Sequence, residues 1–381
     1  MDRKALGKYT LKMKCHPLEP SEPQETYSRA IVIPACAELD FLPETLESLE
    51  QNPKEFMDKT LIIVVVNNSI ESTVDKKSQN LEMLENFRAG KHPNNFFWLD
   101  LASPGKEIDA KGGVGAARKA GMDTALEYLA KENDSLIFSL DSDTLVEKNY
   151  ISSAVEYFRE NQDSPGAVFS FRHRKCDNDT INRAIELYEL FIRYYADNLK
   201  KAGSPYGYHV LGSAIACRAS SYIRCGGMRE RNGGEDFYFL QALRKLGVIG
   251  EIVSSTVHPS ARPSDRVPFG TGPKVREIAQ AGRIAFYNPA IFELLHIFLK
   301  HVNELSLEEM LEPASFVPES MPEEIRRFLS THGFCGSWKN IVRNTPHEKS
   351  RLMDAFNCWF DAFRTLKFVH FCENEFGYHR A

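Results

Sequence analysis

Apolar residues come in unbroken runs through the first half of this chain and in a helical rhythm through its last quarter. Arg29-Ala-Ile-Val-Ile-Pro34 is a short run stopped by proline, and Thr60-Leu-Ile-Ile-Val-Val-Val66 is dominated by β-branched residues. Neither alternates with polar residues, which is the signature of strands covered on both faces and hence of a parallel sheet. Ser135-Leu-Ile-Phe-Ser-Leu140 is a third such run and leads into Asp141-Ser-Asp143, while Asn95–Leu101 reads as a further strand. Between the runs, Leu42, Leu46 and Leu49 share one helical face, a helix is expected over 75–89, and Val114, Ala117, Gly121, Ala125 and Tyr128 recur at helical spacing. Strands alternating with such helices predict βαβ units and a doubly wound, mixed but mainly parallel α/β sheet.

The second half is less regular. A helix rich in tyrosine and phenylalanine is expected over Ile181–Lys201, a strand over His209–Arg218, a helix over Glu235–Leu246 stopped by Gly247, and a strand over Val248–Val253. Residues 258–274 hold four prolines and two glycines and read as a long loop, a kind of segment that is often functional. From about Asn288 onward the pattern is helical. The expected organisation is an N-terminal arm over 1–28, an α/β domain over 29–287 and a helical C-terminal extension over 288–381. In that extension Leu352, Phe356, Trp359, Phe363 and Leu366 make one narrow apolar stripe, expected to pack on the α/β domain or on a homodimer partner. Its polar face mixes Asp354, Asp361, Arg364 and Lys367, whereas a membrane-surface helix is more uniformly basic.

Composition changes this picture little. With 43% hydrophobic and 26% charged residues the chain is ordinary for a globular protein, and a net charge of −5 gives no general attraction to nucleic acid. Eight scattered cysteines without a C-x-x-C pair point to reduced thiols and a cytoplasmic location. No signal peptide is expected. The most apolar stretches, Leu61–Val66 and Ala290–Leu299, fall well short of the ~18–20 residues of a membrane span.

The candidate chemistry begins at Asp141 and Asp143. Residues two apart on an extended backbone point the same way, so the pair sets two carboxylates side by side at the end of a buried strand. They repel unless one is protonated or a cation bridges them, and hard oxygen ligands suit Mg²⁺ or Mn²⁺, which in turn bind phosphates. The plainer alternative is a strand end followed by an Asp-rich turn.

Lys111-Gly-Gly-Val-Gly-Ala-Ala-Arg118 opens a helix. Glycines allow close approach and a helix N-terminus favours anions, so Lys111, Gly112 and Arg118 are candidate phosphate contacts, with a simple turn as the alternative. The stretch matches neither the P-loop nor the Rossmann spacing. Gly233-Gly-Glu235-Asp236 puts two carboxylates in the first turn of a helix, either for the macrodipole alone or with one as a general base. His258 is a candidate nitrogen ligand for a metal held by Asp143, and Arg262 and Arg266 are candidates for phosphates or an anionic acceptor.

Ile31-Val-Ile-Pro34-Ala-Cys-Ala-Glu38, followed by Leu42-Pro-Glu-Thr-Leu-Glu-Ser-Leu49, resembles the opening of the family 2 glycosyltransferases of the GT-A fold. The glycine stretch ending at Arg118, the Asp141-Ser-Asp143 motif and Glu235-Asp236 follow in that family's order, and the likeness covers about residues 29–260. It implies a GT-A-type sheet and a transferase that uses a nucleotide-diphospho-sugar, UDP- or GDP-linked, with Mn²⁺ or Mg²⁺ and an acceptor the sequence does not identify. By this resemblance Asp143 is the principal metal ligand, and Asp141 chiefly contacts the nucleotide. Pro34, Ala35, Glu38, Asn67, Ser69 and Ser142 line the donor site. Asp236, or failing it Glu235, is the base of an inverting displacement.

Two departures qualify the likeness. Asn67 and Asn68 stand where the family often has aspartates, and Gln241-Ala-Leu-Arg244 is followed by Lys245 rather than the tryptophan of processive members, which favours single transfers. The rivals are a retaining GT-A transferase, a non-catalytic sugar-nucleotide-binding module and a sugar-phosphate nucleotidyltransferase. The last needs a glycine- and arginine-rich loop after the first strand, which Pro34–Glu38 lacks.

Overall fold

In the computed structural model, which describes residues 7, 9–11, 13–130, 135–262 and 270–380, the apolar runs become neighbours in one eight-stranded sheet. The strands are β1 (Arg29–Ala35), β2 (Thr60–Asn67), β3 (Phe96–Leu101), β4 (Leu136–Ser139), β5 (Thr144–Val146), β6 (Gly166–Phe171), β7 (Ile215–Arg218) and β8 (Ile249–Pro259), in the order β3-β2-β1-β4-β7-β6-β8-β5. β3, β2, β1 and β4 are parallel. β7 lies antiparallel between β4 and β6, and β8 is parallel to β6 and carries β5 antiparallel at the edge. The mixed, mainly parallel α/β sheet expected from the sequence is therefore present.

Every residue of β1 and β2 is buried. Consecutive burial, rather than burial of alternate residues, requires cover on both faces and explains why polar residues are missing from these runs. Each fully buried valine, leucine or isoleucine there contributes about 1.5–3 kcal/mol. The helix Gly113–Tyr128 packs on β1 and β2, and the helix Val74–Ala89 on β2.

The structure departs from the sequence expectations in a few places. β5 is three residues long, too short to show a period, and β6 is a strand that the hydrophobic pattern does not announce. The strand expected over His209–Arg218 is confined to Ile215–Arg218, and the one expected over Val248–Val253 continues to Pro259. Within the expected loop 258–274, a helix begins at Thr271. The N-terminal arm is tied to β3, with the backbones of Glu19 and Trp98 exchanging hydrogen bonds of 3.0 and 3.1 Å.

The chain forms two compact units, residues 1–188 with 210–282 and residues 189–209 with 283–381. The helical unit thus includes 189–209, because Leu199 and Ala202 belong to its core and Phe191, Tyr194 and Tyr195 pack against it. That core is aromatic, with Phe298, Phe316, Phe334, Trp338 and Phe356 all buried. The C-terminal stripe does not lie on one helix. Lys349–Trp359 and Ala362–Phe376 are separate, and Asp361 caps the second by accepting from the Arg364 N–H at 3.1 Å. Leu352, Phe356 and Trp359 enter the core of this unit, while Phe363 stays 37% exposed. Among the described residues no helix is long and apolar enough to cross a membrane.

Candidate active site

β1, β2 and β4 run the same way, so their carboxyl ends share one edge of the sheet, where ligands bind in open α/β folds. A cleft of about 650 Å³ opens there, within the range of small-molecule sites. Pro34 reaches it from β1 and Glu38 from just after it, Asn67 from β2 and Ser69 from just after it, and Asp141, Ser142 and Asp143 from the turn after β4. Arg118, Glu235, Asp236 and Arg262 complete its charged lining together with Glu71 and Lys76.

Arg118 ties the first cluster together. Its side chain is 3% exposed, and Nε donates to Glu235 Oε1 at 3.0 Å, Nη1 to Ser139 Oγ at 2.6 Å and Nη2 to Asp141 Oδ1. Burial alone would lower the pKa of this guanidinium, but the charges of Asp141 and Glu235 raise it instead. A buried cation committed to three acceptors is a strut. It is not the free phosphate contact that the sequence led us to expect.

Arg262 makes a second cluster with a different character. Nη2 donates to both carboxylate oxygens of Glu38 at 2.7 Å, and Nε donates to Asp143 Oδ2 at 2.9 Å. The guanidinium carbon lies 3.9 Å from the centre of the Phe41 ring. Burial raises the pKa of Asp143, with the Asp141 charge adding to the effect and Arg262 opposing it.

The structure separates the two acids of the Glu235–Asp236 pair. Gly234 takes a left-handed φ of 69° just before them, a conformation that favours glycine, and so turns the chain into the helix Glu235–Arg244. Glu235 is bound to Arg118, and its pKa is pushed up to about 7, first by burial and then by the Asp236 charge, against the pull of Arg118. Asp236 accepts the Phe237 N–H at 2.7 Å and is also shifted upward by burial. Asp236 therefore has no arginine partner among its described hydrogen bonds.

The glycine stretch has a packing role. The N–H of Gly115 donates to Arg231 O at 3.1 Å, and those of Gly112 and Gly113 to Asp109 O at 2.9 and 3.3 Å. The Lys111 N–H is bound to Asp109 Oδ1. A Cβ on Gly115 would lie 2.4 Å from Arg229 O, so glycine lets the 229–231 backbone cross the helix start. These committed amides cannot cradle a phosphate, and neither Lys111 nor Gly112 lines the cleft.

Three more expected residues lie elsewhere. Ala35 is buried in β1 outside the cleft lining. His258 pairs with Leu145 across β5 and β8, one position before the cleft residue Pro259, so strand alternation turns its side chain away. Its Nδ1 faces Arg172 O at 3.2 Å and its Nε2 lies 3.5 Å from Glu147. It does not approach Asp143 as a metal ligand. Arg266 lies outside the described residues.

The two asparagines at the end of β2 differ in the same way. Asn80 Nδ2 donates to Asn68 Oδ1 at 2.8 Å and to Asn67 O at 3.0 Å, and Asn80 Oδ1 accepts from the Ala37 N–H at 2.8 Å. Asn68 is thereby structural. Asn67 is 6% exposed, and its Oδ1 has no hydrogen-bond partner among the described residues, as is also true of the buried Ser213 Oγ in the same cleft. Ser213, like His173, belongs to the cleft without any sequence signal that marks it.

The donor set fits a hard divalent cation in one particular way. Glu38, Asp141, Asp143, Glu235 and Asp236 face two guanidinium groups, which leaves an excess of carboxylates. No group of three His, Cys, Asp or Glu side chains among the described residues is assembled as a complete metal cage. Mg²⁺-type sites are commonly made of one or two carboxylates and the substrate's own phosphate oxygens. Asp143 suits that arrangement better than Asp141, because its arginine partner, Arg262, is 19% exposed whereas the Arg118 that holds Asp141 is 3% exposed.

No protein-family model matches this chain, and no curated protein does. Among solved structures, it is similar to Staphylococcus aureus TarS residues 1–349 in complex with UDP-GlcNAc, at 13% identity and a TM-score of 0.42, over 83% of this chain and 90% of that one. It is also similar to the mannosyltransferase PcManGT of Pyrobaculum calidifontis in complex with GDP-Man and Mn²⁺, at 15% identity and a TM-score of 0.41, over 93% and 94%. Both likenesses are distant, so the functional reading rests on the cleft's own residues.

Proposed function

We propose that this chain is a GT-A-type glycosyltransferase of family 2 character, moving one sugar at a time from a UDP- or GDP-sugar to an acceptor hydroxyl with inversion. The observation that carries the reading is the meeting of Asp143 and Asp236 in one cleft at the carboxyl ends of parallel strands, with Asn67 Oδ1 unpartnered beside them. Asn67 offers an acceptor to a nucleobase or ribose. Asp143 would hold Mn²⁺ or Mg²⁺ against the donor diphosphate. The ion, when bound, neutralises charge on the departing nucleoside diphosphate.

Asp236 takes the proton of the acceptor hydroxyl. The acceptor oxygen bonds to the anomeric carbon as the bond from that carbon to the phosphate oxygen breaks, and the nucleoside diphosphate departs. Burial keeps Asp236 basic enough for this task. Arg118 fixes Asp141 and Glu235 around it, so the base moves little.

The test is titration of UDP- and GDP-sugars with and without Mn²⁺, followed by transfer or hydrolysis, with the anomeric configuration of the product read by NMR. We expect one donor class to bind in the presence of metal and Asp143→Asn to weaken that binding. Failure of both donors to bind, or normal binding and turnover by Asp143→Asn, contradicts the reading.

A further inference from the structure

Arg262 stands on the one carboxylate that would hold the metal. Its Nε and Nη2 both lie 2.9 Å from Asp143 Oδ2, while its Nη2 also donates to both oxygens of Glu38 and its plane rests on Phe41. Glu38 is 1% exposed and Asp143 22%, so one partner of the guanidinium lies on the dry side and the other faces the cleft. A divalent ion on Asp143 would lie within a few ångströms of a fixed positive charge. Like charges at that distance in a partly buried site repel strongly.

We propose that Arg262 is a built-in counter-cation that holds Asp143 in the free protein, and that it exchanges this carboxylate for the donor diphosphate when the metal binds. The inference rests on the proposed donor binding and adds a thermodynamic consequence to it. Metal alone must displace Arg262 from Asp143 and leaves that arm of the guanidinium unpartnered. Metal together with a diphosphate gives Arg262 a new anion, for which its planar fork is well suited. Glu38 keeps the side chain in the cleft throughout. Metal and nucleotide therefore bind synergistically, and Arg262 carries the coupling.

The experiment measures Mn²⁺ binding to the full chain by loss of the free-ion EPR signal, alone and with UDP or GDP, correcting for chelation by the nucleotide itself. Wild type is expected to bind Mn²⁺ weakly alone and more tightly with nucleotide. Arg262→Gln removes the competing charge, so Mn²⁺ alone binds more tightly, and the gain from nucleotide shrinks by the same factor. Couplings of this kind usually span about 5- to 150-fold. Arg262→Lys, which keeps the charge but lacks the planar fork, falls between the two and serves if the glutamine variant does not fold.

Asp143→Asn abolishes the binding in every background. Mn²⁺ affinity in both Arg262 variants equal to or below that of wild type overturns the inference. If wild type binds UDP or GDP with Mn²⁺ while the variants leave Mn²⁺ affinity unchanged, only the role of Arg262 fails. If wild type binds neither nucleotide, the donor reading fails with it.

Discussion

Two arginines share this cleft, and each stands between two carboxylates, yet their surroundings give them opposite work. Arg118 is 3% exposed and spreads three nitrogens over Asp141, Glu235 and Ser139. Arg262 is 19% exposed and commits two nitrogens, held between the buried Glu38 and the more open Asp143. A guanidinium this deeply buried between two carboxylates cannot leave without stranding charge. One that reaches the cleft can trade a carboxylate for a phosphate or a solvent molecule. The same ion triad is a strut in one place and an exchangeable contact in the other, and the difference lies in exposure and in how many donors are committed.

The largest effect is expected on the strut. Arg118→Met leaves the buried Glu235 and the partly exposed Asp141 without their cation, and it should lower unfolding free energy by about 3–5 kcal/mol. Urea denaturation measures this, and a loss below about 1 kcal/mol would erase the distinction between the two arginines. Arg262→Gln should cost less, about 1–2 kcal/mol, because the glutamine amide can still donate to Glu38 and water entering through the cleft can solvate Asp143. The same denaturation series checks it, and a loss as large as that of Arg118→Met would make Arg262 a strut too.

The smallest effect is a pH tilt. Glu235 has its folded pKa raised from 4.5 to about 7, so the folded form holds this proton more tightly than the unfolded chain does. The associated stability is full below about pH 4.5 and is lost as pH rises through about 7. The loss should appear as a falling Tm across this window. Glu235→Gln, which cannot ionise, should flatten the curve, and an unchanged slope in that variant would assign the tilt to other groups.

Strand content and the acidic motifs are legible in the sequence because both are local. Unbroken β-branched runs announce β1 and β2, whereas Asp141 and Asp143 reach one cleft from a turn after β4 and not from the extended strand end that their spacing suggests. What pairs with what is not local. Arg118 finds Glu235 across 117 positions, and Arg262 finds Glu38 across 224, so two candidate phosphate contacts prove to hold carboxylates.

The residue type of His258 suggests a ligand, but a strand's two-residue alternation turns it toward Glu147. The glycines of 112–115 suggest an anion site, whereas a backbone crossing at Arg229–Arg231 explains Gly115 and takes its amide. Asn67 and Asn68 are equivalent as letters, and only the bonds from Asn80 distinguish them. The single C-terminal stripe fails because Asp361, which the helical spacing places on a polar face, is instead the cap that begins a second helix.

The central claim is that Asp236 is the base of a sugar transfer whose donor is held elsewhere in the cleft. Donor binding and turnover by Asp236→Asn, measured side by side with the wild type in Mn²⁺, test it most directly. The account predicts binding close to that of the wild type and a fall in turnover of about 10²–10⁴-fold, the usual worth of a general base. Turnover at the wild-type rate by Asp236→Asn would contradict it.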